Sequence, residues 1–305
     1  MKSSNKPKNI DTISNKPKRL ANLLISLKKN WYKFSKGSLS IVGLIVVTVI
    51  VTSAIFAPQI APYPEHKGAI VEFENMHQPP SLQHFCGTDQ VGRDIFSRIL
   101  FGYRGAIIMV IVVLLIAVPI GMIIGLVAGF FNGTIIDTIL MRITDIFCSL
   151  PPFVMALAIA SVLTPTMVHS MIAISLSWWA TYARLVYGMA SSIRNEYFVI
   201  AADLTGASKL FILFKEILPN CLSPVFTRMA LDVGWLIIVG ASLSFVGLGE
   251  QPPTPALGQM VSDGASYLPT NWWVSIFPAI AIVIIILGFN LVGDGIRDML
   301  EAGRE

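Results

Sequence analysis

The sequence predicts an all-α integral membrane protein with six transmembrane helices and both termini in the cytosol. Three observations predict it. Charged residues make up only 13% of the 305, against roughly 25% in a soluble domain, too few to coat a water-exposed surface. The apolar residues are gathered into long charge-free blocks, as a hydrocarbon environment requires. Of 22 Lys and Arg, 10 fall within residues 1–36 against the single acid Asp11, and this basic tail runs straight into an apolar span. Such a tail is read as cytosolic by the positive-inside rule. Its contact is membrane lipid, not nucleic acid.

Residues 1–20, rich in Lys, Asn, Ser and Pro, are too polar to bury a core. Residues 21–36 set Leu23, Leu24, Leu27, Trp31 and Phe34 among Lys28, Lys29, Lys33 and Lys36, the composition of an interfacial amphipathic segment. The first span runs from Leu39 to Ala57 and is retained rather than cleaved, because the basic stretch before it is too long for a signal peptide. Pro58, Pro62 and Pro64 stop it. An outside loop follows to Arg104. Within that loop Asp94 is placed to cap a short surface helix with Ile95, Phe96, Ile99 and Leu100 on one face and Arg98 on the other.

The second span covers residues 105–131. Gly121, Gly125 and Gly129 recur every four residues, a stripe that admits a neighbouring helix at close range. The uncharged segment from Ile146 to Ala183 is too long for one crossing and is divided at Thr164-Pro165-Thr166. That gives a third span from Ile139 to Leu163 and a fourth from Met167 to Tyr187. The fifth runs from Val233 to Val246 and the sixth from Trp273 to Leu291, with Trp272 and Trp273 as an interfacial anchor. The segment between spans four and five carries Arg184, Arg194, Lys209, Lys215 and Arg228, whereas the Thr164 hairpin and the loop from Glu250 to Asn271 carry no Lys or Arg. The first outside loop is longer, and its Lys67, Arg93 and Arg98 are offset by acids. The organisation expected is a basic tail with an interfacial helix (1–36), a first span with its outside loop (37–104), a core (105–298) holding a cytosolic loop at 188–222, and a short tail (299–305).

Little in the chain suggests chemistry of its own. Cys86, Cys148 and Cys221 form no CxxC pair, so neither a zinc site nor a disulfide framework is indicated. His66, Met76, His77, His84 and Cys86 share the outside loop without a compact ligand spacing, and read as loop residues with no metal assigned. There is no HExxH, GxSxG or GxxxxGK[ST], so no catalytic residue and no cofactor site is assigned. Arg142 and Asp145, near Asp137, are three apart and are expected to pair; Asp232 is expected to snorkel to the interface. Ser175, Ser177, Ser242 and Ser244 suit either a pathway or helix packing.

The cytosolic loop is the most informative stretch. It reads from Glu196 through Ala201-Ala202 to Gly206, then on to Leu218-Pro219. Gly206 permits a left-handed turn between two helices, Ser208 is placed to cap the second, and Pro219 to end it. A small exposed knob flanked by bases suits docking or an ordinary connection equally well.

Its spacing resembles the coupling loop of bacterial ABC importer permeases, with Ile200 standing where the family pattern has Glu and Glu196 one turn earlier. Gly87-Thr88-Asp89, with Gly92-Arg93-Asp94 after it, is similar to the outside-loop signature of dipeptide, oligopeptide and nickel permeases. Residues 243–255, Gly258 and 290–298 resemble the end of the same family, and the likeness covers about residues 38–300. The long first outside loop resembles the second of the two permease subunits in such systems. The resemblance implies a type I importer permease in the bacterial cytoplasmic membrane that uses no ATP itself. Its implied partners are a homologous permease, two ATPase subunits docking on the coupling loop, and an extracytoplasmic binding protein. Di- or oligopeptides are the implied substrates, nickel or a metal chelate the alternative, and an ion-driven secondary transporter a distant one.

Overall fold

The computed structural model describes residues 28, 31–35 and 37–301. Residues 1–20 and most of the interfacial segment lie outside the described residues. Among the described residues the regular structure is helical, apart from one isolated antiparallel bridge between Thr88 and Asp94. The helices are α1 (Ser38–Ile55), α2 (Ala57–Ile60), α3 (Ile95–Phe130), α4 (Ile135–Ser149), α5 (Pro152–Val162), α6 (Met167–Ile193), α7 (Tyr197–Leu204), α8 (Lys209–Phe245), α9 (Leu257–Ala265) and α10 (Trp273–Glu301).

Four of these are long and apolar enough to cross a membrane: α1, α3, α8 and α10 through Leu300. Helices α4 and α5 together make a fifth candidate. Helix α6 is long enough but carries His169, Arg184 and several serines. It compensates by position, with Ala173, Ile174, Tyr182, Ala183, Val186 and Ala190 fully buried among its neighbours. A helix sheathed in protein does not need a lipid-compatible surface all round.

Glycines set two close seams. Along α3, a methyl group added at Gly121 or Gly125 would collide with the carbonyl oxygens of Trp179 and Ala183 on α6, and one at Gly129 would lie 2.7 Å from Ala190 Cβ. The contacts advance in the same direction on both helices, so α3 and α6 run parallel. Between α1 and α10 the order reverses: Gly43 meets Leu291, and Gly288 meets Val46. Phe34 and Ser40 pack at Gly295, which brings the start of α1 beside the end of α10.

Several expectations are corrected. The third span is not one straight helix. It is α4 and α5, bent by 87°, because Pro151-Pro152 removes two backbone donors and forces the preceding residue out of the helical region. The short surface helix does not exist separately. Asp94 does cap, accepting from Ser97 N–H at 2.7 Å, but the helix it opens continues unbroken to Phe130, and Arg98 is buried rather than solvent-facing. The fifth span begins far earlier than Val233. Pro219 does not end a helix, because a π-helical stretch at Ile212–Ile217 precedes it. The wider turn relieves the clash between the ring and the Lys215 carbonyl, so the loop's second helix fuses with the span. Asp145 pairs with Arg184 of α6, not with Arg142. Asp232 does not reach the interface: it is buried, 3.0 Å from Arg228 and 3.0 Å from the Trp178 indole N–H. Trp273 is likewise buried, while Trp272 is exposed. The tail at 299–305 is helical as far as Glu301.

Candidate functional site

Three features sit at the two ends of the bundle. At the end holding the start of α3, the outside loop folds into a clasp. Asp89 is its centre: Oδ1 accepts from the backbone N–H groups of Val91 (3.0 Å) and Arg93 (2.9 Å), and Oδ2 from Arg93 Nε at 2.8 Å, with Arg98 Nε 3.6 Å away. All three charged side chains are buried. Arg98 also donates to the carbonyls of His66 (3.0 Å) and Pro253 (3.2 Å), tying the loop to the segment before α9. Buried ions are tolerable only when paired and hydrogen-bonded in this way.

The rest of the motif is equally inward. Thr88 accepts from Gln78 N–H at 2.8 Å, and its carbonyl accepts from the Trp273 indole at 3.4 Å. Asp94 N–H donates to His66 Nδ1 (2.8 Å) and Asp94 Oδ1 accepts from His84 Nδ1 (3.0 Å). Both rings stack on Tyr63, at 5.0 and 4.8 Å between centroids. Gly87 and Gly92 take φ of +74° and +87°, and a side chain at Gly92 would strike the Glu72 carbonyl, so neither position admits another residue cheaply. The Glu72 carboxyl is held below its ordinary range, chiefly by the Asn75 amide donating at 2.6 Å, against the opposing effect of burial. Burial pushes the Cys86 thiol up to about 11, with the Asp94 charge adding to it, so this thiol stays protonated.

Behind the clasp lies a cavity of about 440 Å³ between residues 101–109 of α3, the first turn of α6, the last turns of α8 and the segment before α9. Its walls are mostly apolar, with Phe101, Met109, Met167, Ile237 and Leu257. Lys67, Arg104 and Glu250 are its charged residues. Ser170 and Ser244 line it. Ser175 and Ser177 do not, and instead donate back to the carbonyls of Met171 and Ala173 on their own helix.

At the opposite end, α7 and the start of α8 form the knob. Arg194 lies 5.9 Å over the Phe130 ring and Lys209 5.5 Å over Phe131, which places the knob beside the end of α3. Gly206 has φ +82°, and Ala207 N–H donates to the Ala202 carbonyl at 3.1 Å across the turn. Ser208 caps α8, accepting from Phe211 N–H at 3.2 Å. Val199, Ile212, Leu213 and Ile217 are buried and root the knob, while Tyr197 is 89% exposed and Leu204 84%. Glu196 stands at the N-cap of α7 without a side-chain cap bond, and Ala201 and Gly206 are exposed. Leu218 and Pro219 belong to α8, beyond the π-helical stretch. Thus the structure groups Glu196, Ala201, Ala202 and Gly206 in one element, Gly87–Asp94 in another, and Gly121, Gly125 and Gly129 in the α3–α6 seam.

Sequence reasoning missed His66, Glu72, His84 and Trp273 as clasp members, and Lys67, Arg104 and Glu250 as cavity residues. Isolated charges at the ends of apolar spans were the available signal for Arg104 and Glu250. None marked the two histidines.

A helical bundle with apolar outer faces, a cavity at one end and an exposed knob at the other defines a membrane-embedded component of a transport assembly. Residues 117–305 match the family described as "Binding-protein-dependent transport system inner membrane component", and residues 27–80 the "N-terminal TM domain of oligopeptide transport permease C". The chain belongs to this inner-membrane permease family. It is 39% identical over 267 residues to the probable D,D-dipeptide transport system permease protein of Escherichia coli K12, covering 87% of this chain and 88% of the relative. It is 38% identical over 269 residues to the dipeptide transport system permease protein of Alkalihalophilus pseudofirmus (88% and 87%). It is 38% identical over 271 residues to the glutathione transport system permease protein of Shigella flexneri serotype 5b (89% and 88%). Among solved structures, an inward-facing MetNI methionine ABC transporter chain is similar in fold, with a TM-score of 0.55 at 19% identity, covering 67% of this chain and 97% of that one.

Proposed function

We propose that the chain is one of two homologous pore-forming permeases in an ATP-driven importer and translocates di- or oligopeptides inward across the cytoplasmic membrane. The observation that carries this reading is the knob: the short helix α7 and the first turns of α8, with a buried root and an apolar tip, on an otherwise lipid-adapted chain of a binding-protein-dependent family. An exposed Leu204 and Tyr197 beside flanking bases suit the groove of a soluble partner. That partner is an ATPase subunit, one for each permease, and an extracytoplasmic binding protein delivers substrate at the clasp end. The peptide relatives support the substrate class.

The topology proposed has six crossings with both termini cytosolic. Parallel packing of α3 and α6 supports it, since the chain must return across the membrane between them and α4–α5 is the only helical segment in between. Helix α6 is then the fourth crossing, carried in the protein interior, and brings the total to six. The knob, the start of α1 and the end of α10 share the basic side. On this reading Glu196, Ala201, Ala202, Gly206, Leu218 and Pro219 couple the ATPase stroke to the bundle, and α8 transmits it as one continuous helix.

The test is uptake of labelled alanyl-leucine and of nickel by cells carrying the complete transporter, with and without ATP depletion. Peptide uptake that needs this chain and ATP is expected. Uptake of nickel alone, or uptake that persists without ATP and collapses with an uncoupler, overturns the reading. Cysteine labelling at Leu204→Cys should be accessible only from the cytosol.

A further inference from the structure

We infer that the 440 Å³ cavity behind the clasp is a zwitterion subsite, in which Lys67 and Arg104 receive a peptide's C-terminal carboxylate and Glu250 its α-ammonium, over an apolar floor for side chains. The inference rests on the peptide-importer reading and names where in this chain the substrate is held.

The carrying observation is that charges of both signs line one cavity without pairing. Elsewhere in the described part of the chain Asp89 pairs with Arg93 and Arg98, Asp145 with Arg184, and Asp232 with Arg228. Lys67 and Arg104 have no ion pair among the described residues. The Lys67 ammonium, on an exposed side chain at the cavity rim, rests 5.3 Å over the Phe101 ring and makes no hydrogen bond to protein among the described residues. Glu250 accepts one bond, from Met167 N–H at 3.2 Å on Oε2, and that bond fixes the carboxylate at the start of α6. Its other oxygen has no partner among the described residues. Unpaired charges of both signs on one cavity are complementary to a molecule that carries both.

Size and floor agree. The volume is in the range of small-ligand pockets, roughly 300–1,000 Å³. Two extended residues span about 7 Å. Phe101, Met109, Met167, Ile237, Leu257 and Ile282 supply an apolar lining with two flexible thioethers, suited to side chains of varied shape. A bare metal cation would meet two like charges on this rim, whereas a free carboxylate meets none but Glu250.

The experiment uses the complete transporter in membranes. Cys86, Cys148 and Cys221 are replaced by Ser, and Ser244→Cys in the cavity wall reports modification by a small charged thiol reagent. Alanyl-leucine should slow that modification. Its C-terminal amide should need about tenfold more for the same protection, and so should the free peptide in Lys67→Ala with Arg104→Ala, each loss being that of a charge-assisted contact. Glu250→Gln should remove the preference for alanyl-leucine over its N-acetyl form. If the serine-replaced chain does not assemble, saturation-transfer NMR from the unmodified complex to the leucine methyls reads the same preference. Equal protection by free and amidated peptide, variants that protect like the wild type, or protection by the binding protein without peptide overturns the subsite. ATP-dependent peptide uptake measured alongside separates the two claims. Uptake without charge-dependent protection sinks the subsite and leaves the importer reading, whereas no peptide uptake at all sinks both.

Discussion

The clasp and the knob lie at opposite ends of one bundle and are built by opposite rules. In the clasp the charges point inward: Asp89, Arg93 and Arg98 are buried and spend their bonds on one another and on backbone. In the knob the apolar side chains point outward, with Tyr197 and Leu204 nearly fully exposed over a buried root of Val199, Ile212 and Ile217. Both segments carry a motif that resembles a family signature, yet they conserve free energy differently. The clasp is finished within the chain. The knob leaves apolar area exposed, which on the proposed reading a partner covers. A motif that reads as functional can therefore be an internal scaffold, and only the direction of its side chains tells which.

Mutations sharpen that contrast through folding stability. Asp89→Ala should have the largest effect, since it leaves two buried guanidinium groups without their carboxylate. Breaking a buried pair costs about 3–5 kcal/mol, to be seen as a sharp fall in the melting temperature of the detergent-solubilised chain and in its membrane yield. Gly125→Val in the α3–α6 seam comes next, at roughly 1–3 kcal/mol for an overpacked contact, because the added atoms meet the backbone at Ala183 and Tyr187. Equal melting temperatures for Gly125→Val and wild type would mean that the two helices are not held at this distance.

Acid should loosen the clasp before the knob, by a smaller margin. The folded-state pKa of Glu72 is lowered, so its contribution is complete above the ordinary glutamate value and is lost as pH falls through the depressed folded value. Proteolysis of the loop at 64–94 should then rise as the pH falls below the ordinary glutamate value, and Glu72→Gln should flatten that rise. The smallest stability effect belongs to Leu204→Ser in the knob, within about 0.5 kcal/mol. That same variant should lower ATP-driven uptake severely while the chain still inserts. Gly206→Pro should uncouple too, because a φ of +82° is closed to proline and the Asp203 carbonyl loses its donor. A knob variant that melts early and transports normally would invert the comparison.

Local signals were read well where the cause was local. The Gly121–Gly125–Gly129 stripe does seat a helix, Asp94 and Ser208 do cap, and Gly206 does take the left-handed turn. Each of these depends on a residue and its next few neighbours. The failures have a common origin. Residue order predicts a stop at Pro219 because it carries no sign of the compensating π-helical stretch. Helical spacing predicts an Arg142–Asp145 pair, but Arg184, 39 residues away, is the partner of Asp145. The helix opened at Asp94 is continuous with its span, and Arg98 on its other face is buried because His66, Asp89 and Pro253 supply its partners from distant segments.

What the sequence determined by itself is the solvent each stretch accepts. Charge-free blocks, a basic tail and glycine or proline at fixed positions dictate helices, lipid and turns, because transfer free energy and backbone sterics act residue by residue. Which charges would meet, that α6 could be polar because its neighbours sheathe it, and that Lys67, Arg104 and Glu250 would share a cavity without pairing were decided only by the tertiary structure. Those outcomes depend on distances between residues far apart in the chain, and no local pattern encodes them.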